Sequence, residues 1–182
     1  MRIVGGQWAG RDLVSPSGRV RPTAEQLRDR IMKLIAGDLR GARVLDLFAG
    51  TGALGLEAMS RGAGSCDFVE SEGAALHSLK ANVAALRLRD RTRIFDRDAI
   101  PFVERLPAGA YDVALADPPY GSRKLDRIVA QWQREPFSRV LVLEHAADHR
   151  GLPGAPAFTV DETAVTVLRA PAGGAPPRYT AE

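Results

Sequence analysis

The 182-residue sequence predicts an α/β fold built on a doubly wound, mostly parallel sheet, and three observations carry that prediction. From residue 42 onward, short apolar runs alternate with helical segments, the pattern of parallel strands joined by helices on both faces. Between the first run and its helix stands Gly50-Thr51-Gly52-Ala53-Leu54-Gly55, a G-x-G-x-x-G turn. Near the C-terminus two further runs lie too close together for a crossover, so they predict an antiparallel hairpin.

The elements follow in chain order. Residues 2–14 read as a small hairpin or arm, with Arg2-Ile3-Val4 turning at Gly5-Gly6 and returning from Arg11 to Val14. A helix is expected over 24–36, with Thr23 as N-cap and Gln26 as its capping-box partner. Its apolar face would hold Leu27, Ile31, Leu34 and Ile35, leaving Arg21, Arg28 and Lys33 to face elsewhere. Strands are expected at 42–47, 66–70, 93–95, 112–116 and 139–143, and helices at 53–61, 73–86, 99–106 and 122–133. The closing hairpin pairs 158–160 with 164–168 across Asp161-Glu162. The organisation expected is a basic arm and helix over 1–40, a main domain over 41–170, and a flexible Pro/Gly/Ala-rich tail over 171–182.

Composition narrows the class. Hydrophobic residues make up 45% and charged residues 26% of the chain, which is globular usage rather than disorder. With Cys66 alone no intrachain disulfide can form. His77, His145 and His149 are the histidines, and their spacing predicts no metal site. No apolar run reaches the roughly 20 residues that span a bilayer, and no signal core follows Met1-Arg2-Ile3, so a soluble, cytoplasmic protein is expected. The net charge of +3 is unevenly spread: residues 1–43 carry nine basic against four acidic groups, and the rest is slightly acidic. A basic head on an acidic body suggests docking on a polyanion.

The glycine turn brings backbone close to a ligand at a helix N-terminus. Asp46 stands four residues before Gly50, at the end of the first strand. An anion there repels a pyrophosphate and suits a ligand with a cationic head, such as S-adenosylmethionine; the alternative is that Asp46 caps the turn of a nucleotide site. Glu70 ends the second strand, where an acid can accept from ribose hydroxyls, and it is preferred to Glu72 because it directly follows Phe68-Val69. Asp98, with the Ala99 N–H, can meet an adenine edge or can cap the helix that begins at Ala99.

Asp117-Pro118-Pro119-Tyr120 follows the fourth strand, at the end where open α/β sheets bind ligands. Proline removes N–H donors and stiffens the loop, leaving carbonyls that only accept. With the Asp117 carboxylate they suit a planar amino group, whose two protons can be held while its lone pair is aimed at a methyl carbon. Tyr120 offers a face for a base, a contact worth about 1–3 kcal/mol. The quartet points to amino-directed methyl transfer.

Asp46 to Ala58, together with Asp117-Pro118-Pro119-Tyr120, resembles class I S-adenosylmethionine-dependent N-methyltransferases. Arg2-Ile3-Val4-Gly5-Gly6, Gly10-Arg11 and Arg21-Pro22-Thr23 narrow the resemblance to the RsmD family, bacterial 16S ribosomal RNA guanine-N2 methyltransferases, over roughly residues 1–145. The resemblance implies a Rossmann-like, seven-stranded sheet with an antiparallel last strand. It implies S-adenosylmethionine held at Asp46, Phe48, Gly50, Thr51, Gly52, Ala53, Glu70, Asp98 and Ala99, and converted to S-adenosylhomocysteine without a metal. It implies a guanine amino group turned toward Asp117, Pro118, Pro119 and Tyr120, on 16S rRNA in a 30S subunit or its assembly intermediate. Arg2, Arg11, Arg19, Arg21 and Arg28 would then bind phosphates, on a monomeric protein. Two departures stand out: Ala9 replaces a basic residue, and Val160-Asp161-Glu162-Thr163 replaces an aromatic-Gly-Asp-Thr segment. Competing readings are a DNA adenine-N6 or cytosine-N4 methyltransferase, a non-catalytic RNA-binding assembly factor, and a nicotinamide enzyme. Trp8 could stack on RNA or pack, packing is expected of Trp132, and Arg87, Arg89, Arg91 and Arg93 are expected to be a solvated turn.

Overall fold

The computed structural model describes residues 1–15 and 22–171. Seven strands form one sheet in the order β3-β2-β1-β4-β5-β7-β6. They are β1 (Arg43–Leu47), β2 (Ser65–Glu70), β3 (Thr92–Asp96), β4 (Tyr111–Ala116), β5 (Ser138–Ala146), β6 (Phe158–Val160) and β7 (Thr163–Arg169). β1 to β5 run parallel, and β7 runs antiparallel to both β5 and β6. The expected hairpin therefore forms, with its second strand inserted beside β5. The chain order reverses between β1 and β4, and that switch point opens a crevice at the carboxyl ends of the strands.

The helices are α1 (Pro22–Leu34), α2 (Ala36–Leu39), α3 (Ala53–Ser60), α4 (Gly73–Ala85), α5 (Ala99–Val103) and α6 (Lys124–Arg134). One core cluster packs the arm, α1, α3 and α4 on one sheet face, and the other packs α5 and α6 on the opposite face. Alternation along the strands sorts the side chains: Val44, Phe68, Val113, Leu115, Val140 and Val142 face the arm and α1, whereas Leu45, Leu47, Ala114, Leu141 and Leu143 face α5 and α6. Strands covered on both faces lose the polar alternation of a half-exposed sheet, which is why β1 and β4 read as nearly continuous apolar runs.

Several elements depart from the sequence expectation. α1 begins at Pro22, which places Thr23 within the first turn rather than at the cap. The same helix buries Leu27, Arg28, Ile31 and Met32, with Ile35 buried just beyond it, and leaves Leu34 42% exposed. The buried stripe is thus rotated relative to the expected one, and it carries Arg28 inside. α5 stops at Val103, three residues early. Pro107 disfavours helical geometry at Leu106, and the last turn tightens into bonds from Arg105 N–H to Phe102 O and from Leu106 N–H to Val103 O. β5 runs three residues further than expected, because Glu144, His145 and Ala146 pair with Val165, Ala164 and Thr163. The arm is held by the Arg2–Asp12 bridge and by Ile3 N–H to Arg11 O, and it buries Ile3 and Leu13 in the same core as the sheet. Beyond Pro171 the expected tail lies outside the described residues.

The arginines beyond α4 are exposed, as expected of a solvated turn, but two of them also bind the protein. Arg91 donates to Ala63 O and Gly64 O, and Arg93 makes two bonds to the buried Asp67, its register partner on β2. Trp132 is buried as expected and donates to Ser138 O. Trp8 packs half-buried against the core, its backbone N–H bonded to Ser60 Oγ.

Candidate active site at the carboxyl ends of the strands

The turn after β1 is built for close approach. Phe48, Gly50 and Gly52 have φ of 59°, 56° and 82°, the left-handed region that glycine enters without strain. A Cβ on Gly52 would lie 2.5 Å from Leu79, and one on Gly55 would lie 2.5 Å from Phe68 and 2.9 Å from Asp46 Oδ2. Gly55 lets α3 pack on the sheet, and Gly52 makes room for Leu79 of α4. Gly50 differs: its missing Cβ would meet open space, leaving backbone free to face a ligand. Asn82 of α4 donates to Thr51 O and to Val14 O, tying the turn to the end of the arm.

Asp46 is almost fully buried and accepts from Gly55 N–H at 2.8 Å, so one oxygen does cap the turn. Burial, reinforced by the charges of Asp117 and Glu70, pushes its carboxyl up to about 8. Glu70 accepts from Gly50 N–H with one oxygen and from Ser71 and Glu72 N–H with the other, bracing the turn from β2. Glu72 caps α4 through Ala74 and Ala75 N–H, which hold its carboxyl below the ordinary range. Asp98 caps α5 by accepting from Ile100 N–H at 2.8 Å, and Lys124 lies 3.4 Å away. Ala99 is the buried first residue of that helix. The Lys124 ammonium also stands 5.4 Å from the centre of the Phe48 ring.

The acceptor loop leaves β4 on the other side of the switch point. Asp117 continues the face of Val113 and Leu115, the same face as Asp46. Desolvation pushes its carboxyl well above the ordinary range. Pro118 is buried, whereas Pro119 and Tyr120 are exposed, Tyr120 by 52%. Tyr120 Oη lies 2.8 Å from Thr163 Oγ1, so the platform is pinned to the start of β7. Thr163, the residue of the 160–163 segment that matches the family pattern, makes this contact, and Asp161 takes φ of 53° where that pattern has glycine.

Glu144 completes this side, and nothing in the sequence motifs singled it out. It follows Leu141-Val142-Leu143 just as Asp46 and Glu70 follow their apolar runs, and that repeated acid at a strand end was the available signal. The register Ala116↔Leu143, extended by one residue, sets Asp117 beside Glu144. Burial and Asp117 push the Glu144 carboxyl up, and Arg28 pulls it down. Four acids therefore share one sheet face at the carboxyl edge. A cavity of about 340 Å³ opens at the opposite edge, between Arg43, Asp67, Arg93 and Tyr111. The switch point and the convergent acids lie at the carboxyl edge, which therefore carries the candidate site.

Of the expected phosphate contacts, Arg2 and Arg11 are exposed, Arg2 pairing with Glu25 at 3.1 Å. Arg28 is 4% exposed and spends its guanidinium on Glu57 and on Arg2 O, which removes it from the set. Arg19 and Arg21 lie outside the described residues. Among the described residues no cluster of three or more His, Cys, Asp or Glu side chains could hold a metal ion, and no helix is long and apolar enough to cross a membrane.

The family described as Conserved hypothetical protein 95 matches residues 1–154. The chain is also 32% identical over 160 residues to the ribosomal RNA small subunit methyltransferase D of Escherichia coli strain K12, covering 86% of this chain and 80% of that one. The chain belongs to the RsmD family. A second relative in sequence, YlbH of Bacillus subtilis, is 33% identical over 80% of this chain and 82% of its own. The solved structure of yhhF from Escherichia coli superposes with a TM-score of 0.82 at 29% identity, covering 95% of this chain and 99% of that one. The family fold, a mostly parallel seven-stranded sheet with its last strand antiparallel, is the one described above.

Proposed function

We propose that this chain transfers a methyl group from S-adenosylmethionine to the exocyclic N2 of a guanine in 16S ribosomal RNA, on the small subunit or an assembly intermediate. The observation that carries the reading is the placement of Asp117 and Asp46 on one sheet face across the switch point, at the carboxyl ends of β4 and β1. The ribosomal acceptor is supported by the name of the relative in Escherichia coli.

The donor set fits S-adenosylmethionine. Asp46 and Glu70 line the cofactor half of the crevice with carboxyls, which suit an ammonium and a sulfonium and disfavour the pyrophosphate of a nicotinamide cofactor. The open space at Gly50 admits a ligand against the backbone. When bound, S-adenosylmethionine supplies an electrophilic methyl carbon. Asp117 and the Pro118 carbonyl accept the two N2 protons and turn the nitrogen lone pair toward that carbon. Asp46 and Glu70 would hold the cofactor, and Asp117 would take the proton that N2 releases on methylation. Tyr120, fixed by Thr163, stacks on the base. Positioning supplies much of the barrier reduction, because the electrophile already carries its charge.

The test uses tritiated S-adenosylmethionine and immature small subunits, followed by mass spectrometry of the rRNA nucleosides. Label at guanine N2 is expected; label at another base or atom overturns the reading. Asp117→Ala should lower methyl transfer by about 100-fold or more while calorimetry shows cofactor binding retained.

A further inference from the structure

We infer that Glu144 reads the N1–H of the target guanine and so sets the base specificity of the site. The inference rests on the guanine reading above and deepens it. Asp117 and Glu144 lie side by side at the ends of adjacent parallel strands, on the face that carries the crevice. Glu144 lines a small cavity together with Pro118, Pro119 and Tyr120 of the acceptor loop. Its carboxylate can therefore reach a base that rests on that loop.

The hydrogen bonds separate the two halves of the site. On the cofactor side Asp46, Glu70 and Asp98 each accept a backbone N–H. On the acceptor side, no side-chain hydrogen bond to Asp117 or Glu144 is made among the described residues. Two adjacent, half-buried acceptors without a protein donor form a site for an edge that presents donors. The Watson–Crick edge of guanine offers the N2 amino group and, next to it, N1–H. With Asp117 and the Pro118 carbonyl on N2, the neighbouring N1–H falls to the neighbouring carboxylate. Adenine offers a bare nitrogen beside its amino group, which Glu144 in its ionised form, the one that accepts N1–H, would face lone pair to lone pair.

The charges around the pair agree. Asp117 on β4 pushes Glu144 toward its protonated form, Arg28 on α1 opposes that, and both acids act on Tyr120. Asp46 faces Asp117 from β1. Arriving N–H donors would replace the proton that keeps two adjacent carboxylates from both ionising, so the base that belongs here is the one bringing donors to both.

The experiment compares guanine with 2-aminopurine, which keeps the amino group and lacks N1–H. Once the methylated guanine is mapped, ligated rRNA carrying either base at that position is reconstituted into small subunits. Methyl transfer is measured for the wild type, Glu144→Gln and Glu144→Ala. Measured above about pH 8, where Glu144 is ionised, the wild type should prefer guanine by about 30-fold or more, since a site built around a donor rejects an analogue that lacks it. Both variants should bring the two bases to within about threefold, Glu144→Gln by offering a donor and an acceptor. Cofactor affinity should be retained in Glu144→Gln and its thermal midpoint should not fall, which separates base reading from folding. A preference for guanine that persists in both variants overturns the inference. A wild type that binds cofactor but labels no guanine overturns the guanine reading itself.

Discussion

Asp46 sits almost wholly out of water, with the Gly55 N–H on one oxygen and the charges of Asp117 and Glu70 nearby. A folded carboxyl near 8 against 3.8 unfolded means that between those values the folded chain holds a proton the unfolded chain has released. Stability from this group is complete below the unfolded value and is lost as pH rises through the folded one. The raised carboxyls of Asp117 and Glu144 act in the same direction. We therefore expect the thermal midpoint of the ligand-free protein to fall between roughly pH 5 and pH 8, and Asp46→Asn to flatten that fall. A cationic ligand reverses the balance, so S-adenosylmethionine should raise the midpoint more at pH 8 than at pH 6. An equal shift at both values would show that its cation does not meet these carboxylates.

At the level of the element, the arm is organised by Glu57 of α3. This side chain is fully buried and accepts from Val4 N–H at 2.8 Å, Gly5 N–H at 2.7 Å, Arg28 Nε at 3.3 Å and Arg61 Nε at 2.9 Å. Gly6 lets the arm close on α3, since a Cβ there would lie 2.0 Å from Ser60 O. Removing one partner of a buried ion pair leaves the other charge uncompensated, at a cost of about 3–5 kcal/mol. Glu57→Ala should lower the unfolding free energy in urea by about that amount. A loss comparable to an ordinary surface substitution would show that the arm is held by its apolar packing instead. The glycine pair of the arm was legible as a turn, but its partner was not, because Glu57 lies some fifty residues away. The end of β5 was hidden for a related reason: Glu144 and His145 are polar, and their strand character comes from pairing with β7.

For the whole molecule, the arrangement of charge separates two tasks. The carboxyl edge gathers four acids, while exposed Arg2 and Arg11 belong to the basic N-terminal segment. Phosphates would be held by the arm, and the flipped base alone would enter the acidic crevice. Replacing Arg2 and Arg11 by Glu should weaken binding to small subunits and reduce the slope of log affinity against log salt by about one for each phosphate no longer neutralised. Cofactor affinity should not change. An unaltered slope would place the RNA on another face.

The order of strands and helices, the glycine turn and the acceptor quartet were all readable from local pattern, because periodicity and turn chemistry act over a few residues. So was the acid ending each of several strands. Which acids meet was decided by the fold: the parallel register sets Asp117 beside Glu144, and the chain reversal sets Asp117 near Asp46. The fate of Arg28 was decided there too, since a helix turned by Met32 carried an apparently free cation inward to Glu57. Neighbourhood across a sheet depends on strand order and register, and neither is written in any single stretch of the chain.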